Sequence, residues 1–359
     1  MMDALMKAGH EVTLYTIEKT GWGPVEANWG VECKPREVWH LKDQRYTRLP
    51  LIRWPLLLIL YLNLLVKAAK KRNHISLNNY GEVLPLFTDV SYIHSLPLSI
   101  STNENPYAIP LWSVVKPLYQ ALLRIFSGHF SGLVLTNSKY NASKIKLPPQ
   151  SHIVVLYPPV DHHETPHKPK THSTLTASRV SKSKNLEIIP RIAQLVTTHC
   201  EFRLCLTTSL QDEASITPLR GPHITINKNP SKKRLNQLRQ TSTIYLSTQP
   251  TEAYGLSLLE AMDAGCIPVV PRDGGPWHDI LEEQQGKVGY AYNTPEEAAK
   301  QINKILNDAV LSEKLREAAK QRTRQYQGPS FSTNLLQLLT AIHAHKQRMC
   351  NQPTESRRT

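Results

Sequence analysis

Cysteine is scarce in this sequence, and its pattern excludes two kinds of small stabilised domain. The 359 residues contain five cysteines, and no two of them form a Cys-x-x-Cys pair. An odd, scattered set argues against a disulfide framework, and the missing pairs argue against a zinc site. A reducing compartment fits this composition best, so we expect a cytoplasmic protein. The five are Cys33, Cys200, Cys205, Cys266 and Cys350.

Long hydrophobic runs are missing as well. The most apolar stretch, residues 54–66, is flanked by Arg53 and Lys67. It is shorter than the roughly 20 residues that a membrane-spanning helix needs. We interpret it as a buried helix, and the alternative is a helix that lies on a membrane surface.

The sequence lacks the usual signatures of nucleic-acid binding, although it is strongly basic. It has 43 Lys and Arg against 29 Asp and Glu, which gives a formal net charge of +14. Such an excess favours an anionic partner, namely nucleic acid, acidic lipid or a phosphorylated substrate, or it serves no partner at all. No Cys/His finger spacing and no aromatic RNP-type motif is present. We therefore expect no nucleic-acid partner, and salt-dependent binding would test that alternative.

What the sequence does contain is an alternation of helix and strand signals. Residues 1–7 predict a helix that Gly9 can cap, and an apolar strand follows at 11–16. Such alternation predicts an α/β protein with parallel sheets. Further strands are predicted at 90–94, 133–136, 175–177, 202–207, 243–247 and 267–271. Further helices are predicted at 48–71, 114–126, 185–198, 232–241, 255–264, 295–306, 310–324 and 332–346.

A polar segment at residues 162–172 divides this alternation into two halves. It carries two prolines and four histidines. A surface linker is favoured over a metal-chelating site, because the spacing implies no fixed ligand geometry. We predict one Rossmann-like domain over residues 1–161, a second over 162–330, a final helix over 331–349 after a Gly328-Pro329 break, and a polar tail over 350–359.

The strongest motif covers residues 251–276, TEAYGLSLLEAMDAGCIPVVPRDGGP. Gly255 allows backbone amides to approach a ligand closely, and the helix that begins there directs its first N–H groups to the strand ends. Such an edge is where open α/β sheets bind ligands. Glu252 and Glu260 would flank this anion site, where carboxylates suit sugar or ribose hydroxyls. A pair of solvated glutamates is the alternative.

A second motif, residues 178–186 (SRVSKSKNL), lies between a predicted strand and a predicted helix. Arg179 and Lys184 place two cations beside a helix N-terminus, which suits a diphosphate. A solvated basic loop is the alternative reading of these residues.

A third segment, YIHSLP, places His94 at the end of a predicted strand of the N-terminal half. In a cleft that faces the other domain, an imidazole could orient a sugar or stabilise a developing charge. A structural histidine is the alternative.

Together these segments resemble glycosyltransferase family 4, and most closely the asparagine-linked-glycosylation mannosyltransferases and their prokaryotic relatives. TEAYGLSLLE is similar to the family's E-x7-E element, and SRVSKSKNL to its Gly-Arg-x-x-x-x-Lys loop, with Ser178 in place of Gly. NYGEVLPLFTDVSYIHSLP, TNSKYNASKI, YPPVD and GGPWHDI also look like family segments. The resemblance covers nearly the whole chain. It implies the GT-B fold, in which two Rossmann-like domains face each other across a cleft and the last helix crosses back to the first domain.

The resemblance also implies roles for individual residues. Glu252 would contact the donor sugar near the reacting carbon, and His94 would lie near that sugar from the other domain. Arg179 and Lys184 would neutralise the diphosphate leaving group, and Glu260 would bind the ribose. The donor-binding set implied in this way is Arg179, Lys184, Tyr254, Gly255, Leu256, Ser257 and Glu260.

The implied reaction is retaining hexosyl transfer from a GDP- or UDP-sugar to a glycan or lipid-linked acceptor. Such enzymes need no metal ion or other cofactor, and the sequence lacks an Asp-x-Asp metal signature. A lipid-linked acceptor would give the basic charge and residues 54–66 a common purpose at the cytoplasmic face of a membrane.

The sequence departs from the family at its start. Family members begin with a strand and a Gly-Gly loop, whereas this sequence begins with a helix. We therefore keep open an inactive or truncated relative that only binds nucleotide or sugar. We also expect the first strand to lack a neighbour on one side.

Overall fold

The computed structural model describes residues 1–23, 34–41, 50–69, 74–95, 112–149, 151–160, 169–208 and 213–351. Strands and helices alternate through these residues, which confirms the predicted α/β class. The strands are β1 (Thr13–Glu18), β2 (Arg36–Leu41), β3 (Leu77–Asn78), β4 (Val90–Ile93), β5 (Leu133–Thr136), β6 (His152–Val155), β7 (Thr171–Arg179), β8 (Glu201–Thr207), β9 (Ile224–Lys228), β10 (Ser242–Leu246), β11 (Ile267–Pro271) and β12 (Tyr290–Tyr292). The α-helices are α1 (Met2–Lys7), α2 (Pro50–Ala69), α3 (Trp112–Ile125), α4 (Lys139–Lys144), α5 (Ile189–Leu195), α6 (Glu213–Ile216), α7 (Lys232–Thr241), α8 (Leu256–Asp263), α9 (Pro295–Asn307), α10 (Ala309–Thr323) and α11 (Gly328–Asn351).

The C-terminal half is built on one parallel sheet in the order β12-β11-β10-β7-β8-β9. Every residue of β10 and β11 is buried, as expected for parallel strands with helices on both faces. One apolar cluster joins the sheet to α5 and α9, and another joins it to α7 and α8. The strand order reverses direction between β7 and β10, and such a switch point opens a crevice at the carboxyl ends of the strands.

The N-terminal half is built on two separate parallel sheets. Strands β3, β4, β5 and β6 form one sheet in chain order, while β1 pairs with β2 in the other. In the part of the chain that the structure describes, β2 is the one strand that pairs with β1. Met1 and Leu5 of the α1 region pack against the apolar cluster on the four-stranded sheet. Gly9 ends α1 with a φ of 85°, in the left-handed region that favours glycine.

Because two-stranded sheets are marginally stable on their own, we expect the N-terminal domain to melt before the C-terminal domain. Differential scanning calorimetry should therefore show two transitions. Hydrogen exchange should assign the lower one to β1–β6. A single cooperative transition that includes both halves would contradict this prediction.

The last helix, α11, crosses back to the N-terminal domain, as predicted. Phe331 and Leu335 pack with Val90 of β4 in one apolar cluster, and the Lys346 ammonium lies 2.8 Å from the Asp89 carboxylate. The break before this helix lies at Gln327, whose backbone is extended, one residue earlier than predicted, and Gly328 and Pro329 form the first turn of α11. Proline is favoured in the first turn of a helix, where its missing N–H needs no acceptor. The helix also continues into the predicted tail, as far as Asn351.

Two other predicted boundaries are wrong. The expected helix over residues 185–198 is shorter, because Asn185 adopts a left-handed φ of 50° and a 3₁₀ turn covers Leu186–Ile188 before α5 begins. Asparagine tolerates this conformation better than most residues. The expected linker over residues 162–172 ends early, because Thr171 already pairs with Ser242 in the sheet. Residues 161–168, which hold the predicted domain boundary, lie outside the described residues.

The apolar stretch at residues 54–66 lies in α2, in line with the predicted helix. Leu64 and Leu65 are buried, whereas the side chain of Ile59 is 62% exposed. Among the described residues, no helix combines the length and the hydropathy required to cross a membrane.

Candidate active site

Three loops of the C-terminal domain meet at one edge of its sheet. They follow β7, β10 and β11, which are adjacent and parallel, so their carboxyl ends lie together. The loops hold parts of the first two of the three motifs that the sequence singled out. This adjacency places the basic loop after β7 next to the glutamate loop after β10.

The structure brings Lys184 and Glu252 into direct contact. The Lys184 ammonium donates to the Glu252 carboxylate at 2.7 Å, and the two side chains are 21% and 27% exposed. Thr248 holds the lysine backbone from the glutamate loop, since its hydroxyl donates to the Lys184 carbonyl at 2.6 Å. A cation and a carboxylate predicted to act on one donor therefore share one half-buried position.

The Gly-Gly turn after β11 supports the backbone of the glutamate loop. The Gly275 N–H donates to the Glu252 carbonyl at 2.7 Å. A Cβ at Gly275 would lie 2.3 Å from the Ala253 carbonyl oxygen, and one at Gly274 would lie 2.8 Å from the Glu252 carbonyl oxygen. Only glycine permits this close approach of two backbones.

Helix α8 begins directly after Gly255, at the position predicted for it, and follows the loop after β10. Gly255 precedes it with a φ of 101°, and Leu256 is partly exposed at its first position. The first N–H groups of a helix have no acceptor within the helix and carry a partial positive charge. The start of α8 therefore offers donors to an anion beside the Lys184 loop.

Glu260 and Ser257 share a partner that sequence reasoning missed. The buried guanidinium of Arg239, at the end of α7, forms an ion pair with the Glu260 carboxylate and donates to the Ser257 hydroxyl at 3.3 Å. Glu260 remains 33% exposed, so it is fixed in orientation and still open to a ligand. The sequence around Arg239 does not indicate this role, because its partners belong to α8, two elements further along the chain.

Tyr254 is placed differently from the expectation. Its side chain is 3% exposed, and its hydroxyl donates to the Pro158 carbonyl at 2.9 Å. It packs near Tyr157 and Tyr326, where the chain passes between the two domains. In this position only its backbone can contact a donor.

Arg179 is exposed at the last position of β7, at the start of the loop that holds Lys184. In the residues described, no contact joins its side chain to Lys184 or Glu252. It is therefore free to rotate towards a bound anion.

His94 lies on the N-terminal domain, directly after β4. Its Nε2 is 3.1 Å from the Asn79 side-chain oxygen, and its ring lies 4.3 Å from that of Tyr92. Asn137, at the end of β5, donates to the His94 carbonyl at 2.6 Å. Burial lowers the pKa of His94, so the ring is neutral at neutral pH. Among the described residues, no contact joins it to the Lys184 and Glu252 pair.

Glu82 is a second residue that sequence reasoning missed, and it neighbours His94. Burial raises the pKa of the Glu82 carboxyl, and the backbone N–H groups of Glu82 and His94 partly offset this effect. One carboxyl oxygen has no hydrogen-bond partner in the described part of the structure. The preceding residue, Gly81, lets its backbone lie close to that of β4, since a Cβ at Gly81 would lie 2.9 Å from the Tyr92 carbonyl oxygen. The Glu82 carboxyl therefore lies buried beside the backbone of His94, with one oxygen that has no partner among the described residues.

Glu82 should make stability depend on pH. Because its pKa is raised in the folded state, the unfolded chain ionises first as the pH rises above about 4.5, and stability falls until the folded pKa is passed. Glu82→Gln removes this loss. We expect its melting temperature, relative to wild type, to increase from pH 4 to pH 7. A difference that stays constant over this range would contradict the prediction.

A pocket of about 190 Å³ opens beside the Lys184 loop. Ligand sites for small molecules usually measure about 300–1,000 Å³, so this pocket could hold only part of a nucleotide sugar. Its lining residues are Asn185, Ile188, Thr248, Pro250, Pro271, Arg272, Asp273, Tyr292, Asn293 and Pro295. In the described residues, no group of three or more His, Cys, Asp or Glu side chains is placed to hold a metal ion.

Comparison with known proteins finds a family match over the C-terminal part of the chain. Residues 160–322 match the family model described as Glycosyl transferases group 1. A curated relative, the GDP-Man:Man(3)GlcNAc(2)-PP-Dol alpha-1,2-mannosyltransferase of Dictyostelium discoideum, is 23% identical over 299 residues, which cover 74% of this chain and 58% of the relative. The chain thus spans less than two thirds of that relative's length.

Two solved structures resemble this fold over nearly the whole chain. Sucrose-phosphate synthase from Thermosynechococcus elongatus has a TM-score of 0.65 at 14% identity, and covers 96% of this chain and 92% of its own. Anabaena Alr3699/HepE, in complex with UDP and glucose, has a TM-score of 0.61 at 12% identity, with 95% and 94% covered. At these identities the likeness shows the fold alone, and it confirms the predicted two-domain GT-B fold.

Proposed function

We propose that this chain, a GT-B protein with a group 1 glycosyltransferase domain at residues 160–322, is a retaining glycosyltransferase. It transfers a hexose from a nucleotide-diphosphate sugar to a glycan or lipid-linked acceptor. The donor binds to the C-terminal domain, and the acceptor enters from the N-terminal domain.

The contact between Lys184 and Glu252 is the observation that carries this proposal. It lies at the carboxyl edge of the sheet beside the start of α8, so cation, carboxylate and helix N-terminus surround one small volume. A diphosphate leaving group gains negative charge as its bond to the sugar breaks. Donors and cations already oriented towards that charge stabilise the transition state more than the ground state.

Donor binding would exchange one ion pair for two interactions. The diphosphate competes with the Glu252 carboxylate for the Lys184 ammonium, and Arg179 rotates in from its exposed position. The released carboxylate of Glu252 can then accept hydrogen bonds from sugar hydroxyls near the reacting carbon. Glu260, held by Arg239, accepts those of the ribose.

We propose GDP-mannose as the first donor to test. The Dictyostelium relative is named for GDP-Man, although the Anabaena structure holds UDP and glucose, so UDP-sugars form the second group. The net charge of +14 and the partly exposed α2 favour a lipid-linked phosphate acceptor at a membrane surface.

The reaction should need no divalent ion. Arg179, Lys184 and the start of α8 already supply the positive field that a metal would provide on the diphosphate. We expect turnover in the presence of EDTA to equal turnover with magnesium or manganese. Loss of activity with EDTA that magnesium or manganese restores would contradict the proposed role of these cations.

A donor screen tests the proposed function. Purified protein is incubated with GDP-mannose, UDP-glucose and UDP-N-acetylglucosamine, with and without a dolichyl-type lipid phosphate or lipid-linked glycan, and released nucleotide is measured. Acceptor-dependent release from one donor supports transfer. Donor binding by calorimetry without any release would favour the relative that only binds nucleotide. Neither binding nor release would overturn the proposal.

A further inference from the structure

The proposed chemistry does not use Asp279, although it is one of the most completely buried charged groups in the described residues. It lies in the short π-helix Pro276–Ile280, directly after the Gly-Gly turn, and is 4% exposed. Its carboxylate accepts three hydrogen bonds: from the Lys139 N–H at 2.6 Å, the Tyr140 N–H at 3.1 Å and the Tyr157 hydroxyl at 2.9 Å.

All three groups that donate these hydrogen bonds belong to the first domain, whereas Asp279 belongs to the second domain. Lys139 and Tyr140 open α4, whose first N–H groups lack acceptors within the helix. Tyr140 also stacks on His278 with ring centroids 5.4 Å apart. The second domain thus caps a helix of the first. Asp279 removed from this position would leave two N–H groups and a hydroxyl without acceptors in a buried contact.

The same segment reaches the donor loop within a few residues. The Gly275 N–H bonds the Glu252 carbonyl, and a Cβ at Gly255 would lie 3.1 Å from the Pro276 ring. On the other side, the Tyr326 hydroxyl donates to the Asp279 carbonyl at 3.1 Å, where the chain returns towards the first domain. Asp279 therefore lies close in sequence to a segment that contacts the donor loop at 250–255. It also contacts the first domain directly, and its backbone contacts Tyr326 near the start of the last helix.

We propose that Asp279 is a positioning residue that fixes the donor loop relative to the N-terminal domain. The residues on the two sides of the cleft then keep the relative position that transfer requires. The inference rests on the proposed function. Domain closure excludes water and completes the site in enzymes that act across a cleft. In this chain the buried carboxylate transmits the position of residues 250–255 to the start of α4.

Hydrogen exchange measured by mass spectrometry tests this coupling without any ligand. Asp279→Asn keeps the shape of the side chain but replaces one acceptor oxygen with an NH₂ group, which cannot accept a hydrogen bond. We expect faster exchange both in peptides that cover 138–145 and in those that cover 250–255. Faster exchange confined to 138–145, or no change in either, would overturn the proposal.

A matched control is available within one domain. Asp308 caps α10, since its carboxylate accepts from the Leu311 N–H at 2.9 Å, and this cap is exposed. Asp308→Asn should leave both peptides unchanged. If Asp279→Asn does not fold, Tyr157→Phe removes one of the three donors with little change in volume. It should give a smaller increase in the same two regions.

Kinetics separate positioning from a purely structural role. The donor-binding residues belong to one domain, so the donor KM of Asp279→Asn should stay within about threefold of wild type. A misplacement of about 1 Å between reacting groups costs up to about a hundredfold, so kcat for transfer should fall at least tenfold. Hydrolysis of the donor should rise relative to transfer. Unchanged kcat, or a loss confined to donor KM, would overturn the proposal.

Failure of the proposed function would look different. Wild-type protein would then neither bind nor turn over any donor, and the exchange experiment would still decide whether Asp279 couples the two regions.

Discussion

Lys184→Ala should lower kcat for transfer about a hundredfold, the usual cost of losing one oriented donor to a developing negative charge. The substitution removes the ammonium that faces the leaving group, and it also leaves Glu252 without its partner at 2.7 Å. Single-turnover rates at saturating donor measure the effect. Arg179→Ala should cost about as much, because both cations act on the same charge as it grows.

Lys182 provides the control for this substitution. It lies in the same 3₁₀ turn, Lys182–Lys184, and is exposed. Lys182→Ala changes the charge of the loop by the same amount, so it should affect kcat less than threefold if local contact rather than net charge matters. Near-normal turnover in Lys184→Ala would refute the assignment of this lysine to the leaving group.

Gly275→Ala should abolish donor binding and destabilise the C-terminal domain. Its Cβ would lie 2.3 Å from the Ala253 carbonyl oxygen, a backbone atom that cannot rotate away. The donor loop must therefore shift, and its bond from the Gly275 N–H to Glu252 is lost. Overpacking of this kind typically costs about 1–3 kcal/mol. Thermal melting and donor titration by calorimetry measure the two effects.

Gly132→Ala is the matched control for Gly275→Ala. Neither glycine has a positive φ, and a Cβ at Gly132 would meet no atom within 4 Å. This substitution should leave melting and donor binding unchanged. If both alanine variants behave like wild type, the close contact between the Gly-Gly turn and the glutamate loop does not hold the site.

The elements that sequence reasoning located correctly have strong local signals. Strand β11 is itself an unbroken apolar run. Helix α7 begins after Ser231, whose side chain accepts a hydrogen bond from the Arg234 N–H. Strand β9 was missed because only two of its five residues, Ile224 and Ile226, are apolar, and it lies at an edge of the sheet. Strands β2, β3, β6 and β12, and the short helices α4 and α6, were missed as well. Short edge elements carry little apolar periodicity, so only their tertiary partners define them.

The candidate site divides in the same way. Glutamates and a glycine at fixed spacing, in one loop and in the helix that follows it, marked Glu252, Gly255 and Glu260, because these positions are close in the sequence. Arg239 and Asp279 gain their roles only from partners far along the chain, and a lone arginine or aspartate carries no local signal. Asp279 does fall within the GGPWHDI segment, so that motif located it without indicating what it contacts.

The position of α11 has a consequence for synthesis on the ribosome. Phe331 and Leu335 belong to the same apolar cluster as Val90, so the core of the first domain includes residues translated more than 200 positions later. Domains usually fold in the order in which they emerge. In this chain the C-terminal sheet is complete before the N-terminal core is closed, so the first domain to be made is the last to be finished. Until α11 emerges, the nascent N-terminal domain exposes an apolar face, where chaperones would be expected to bind.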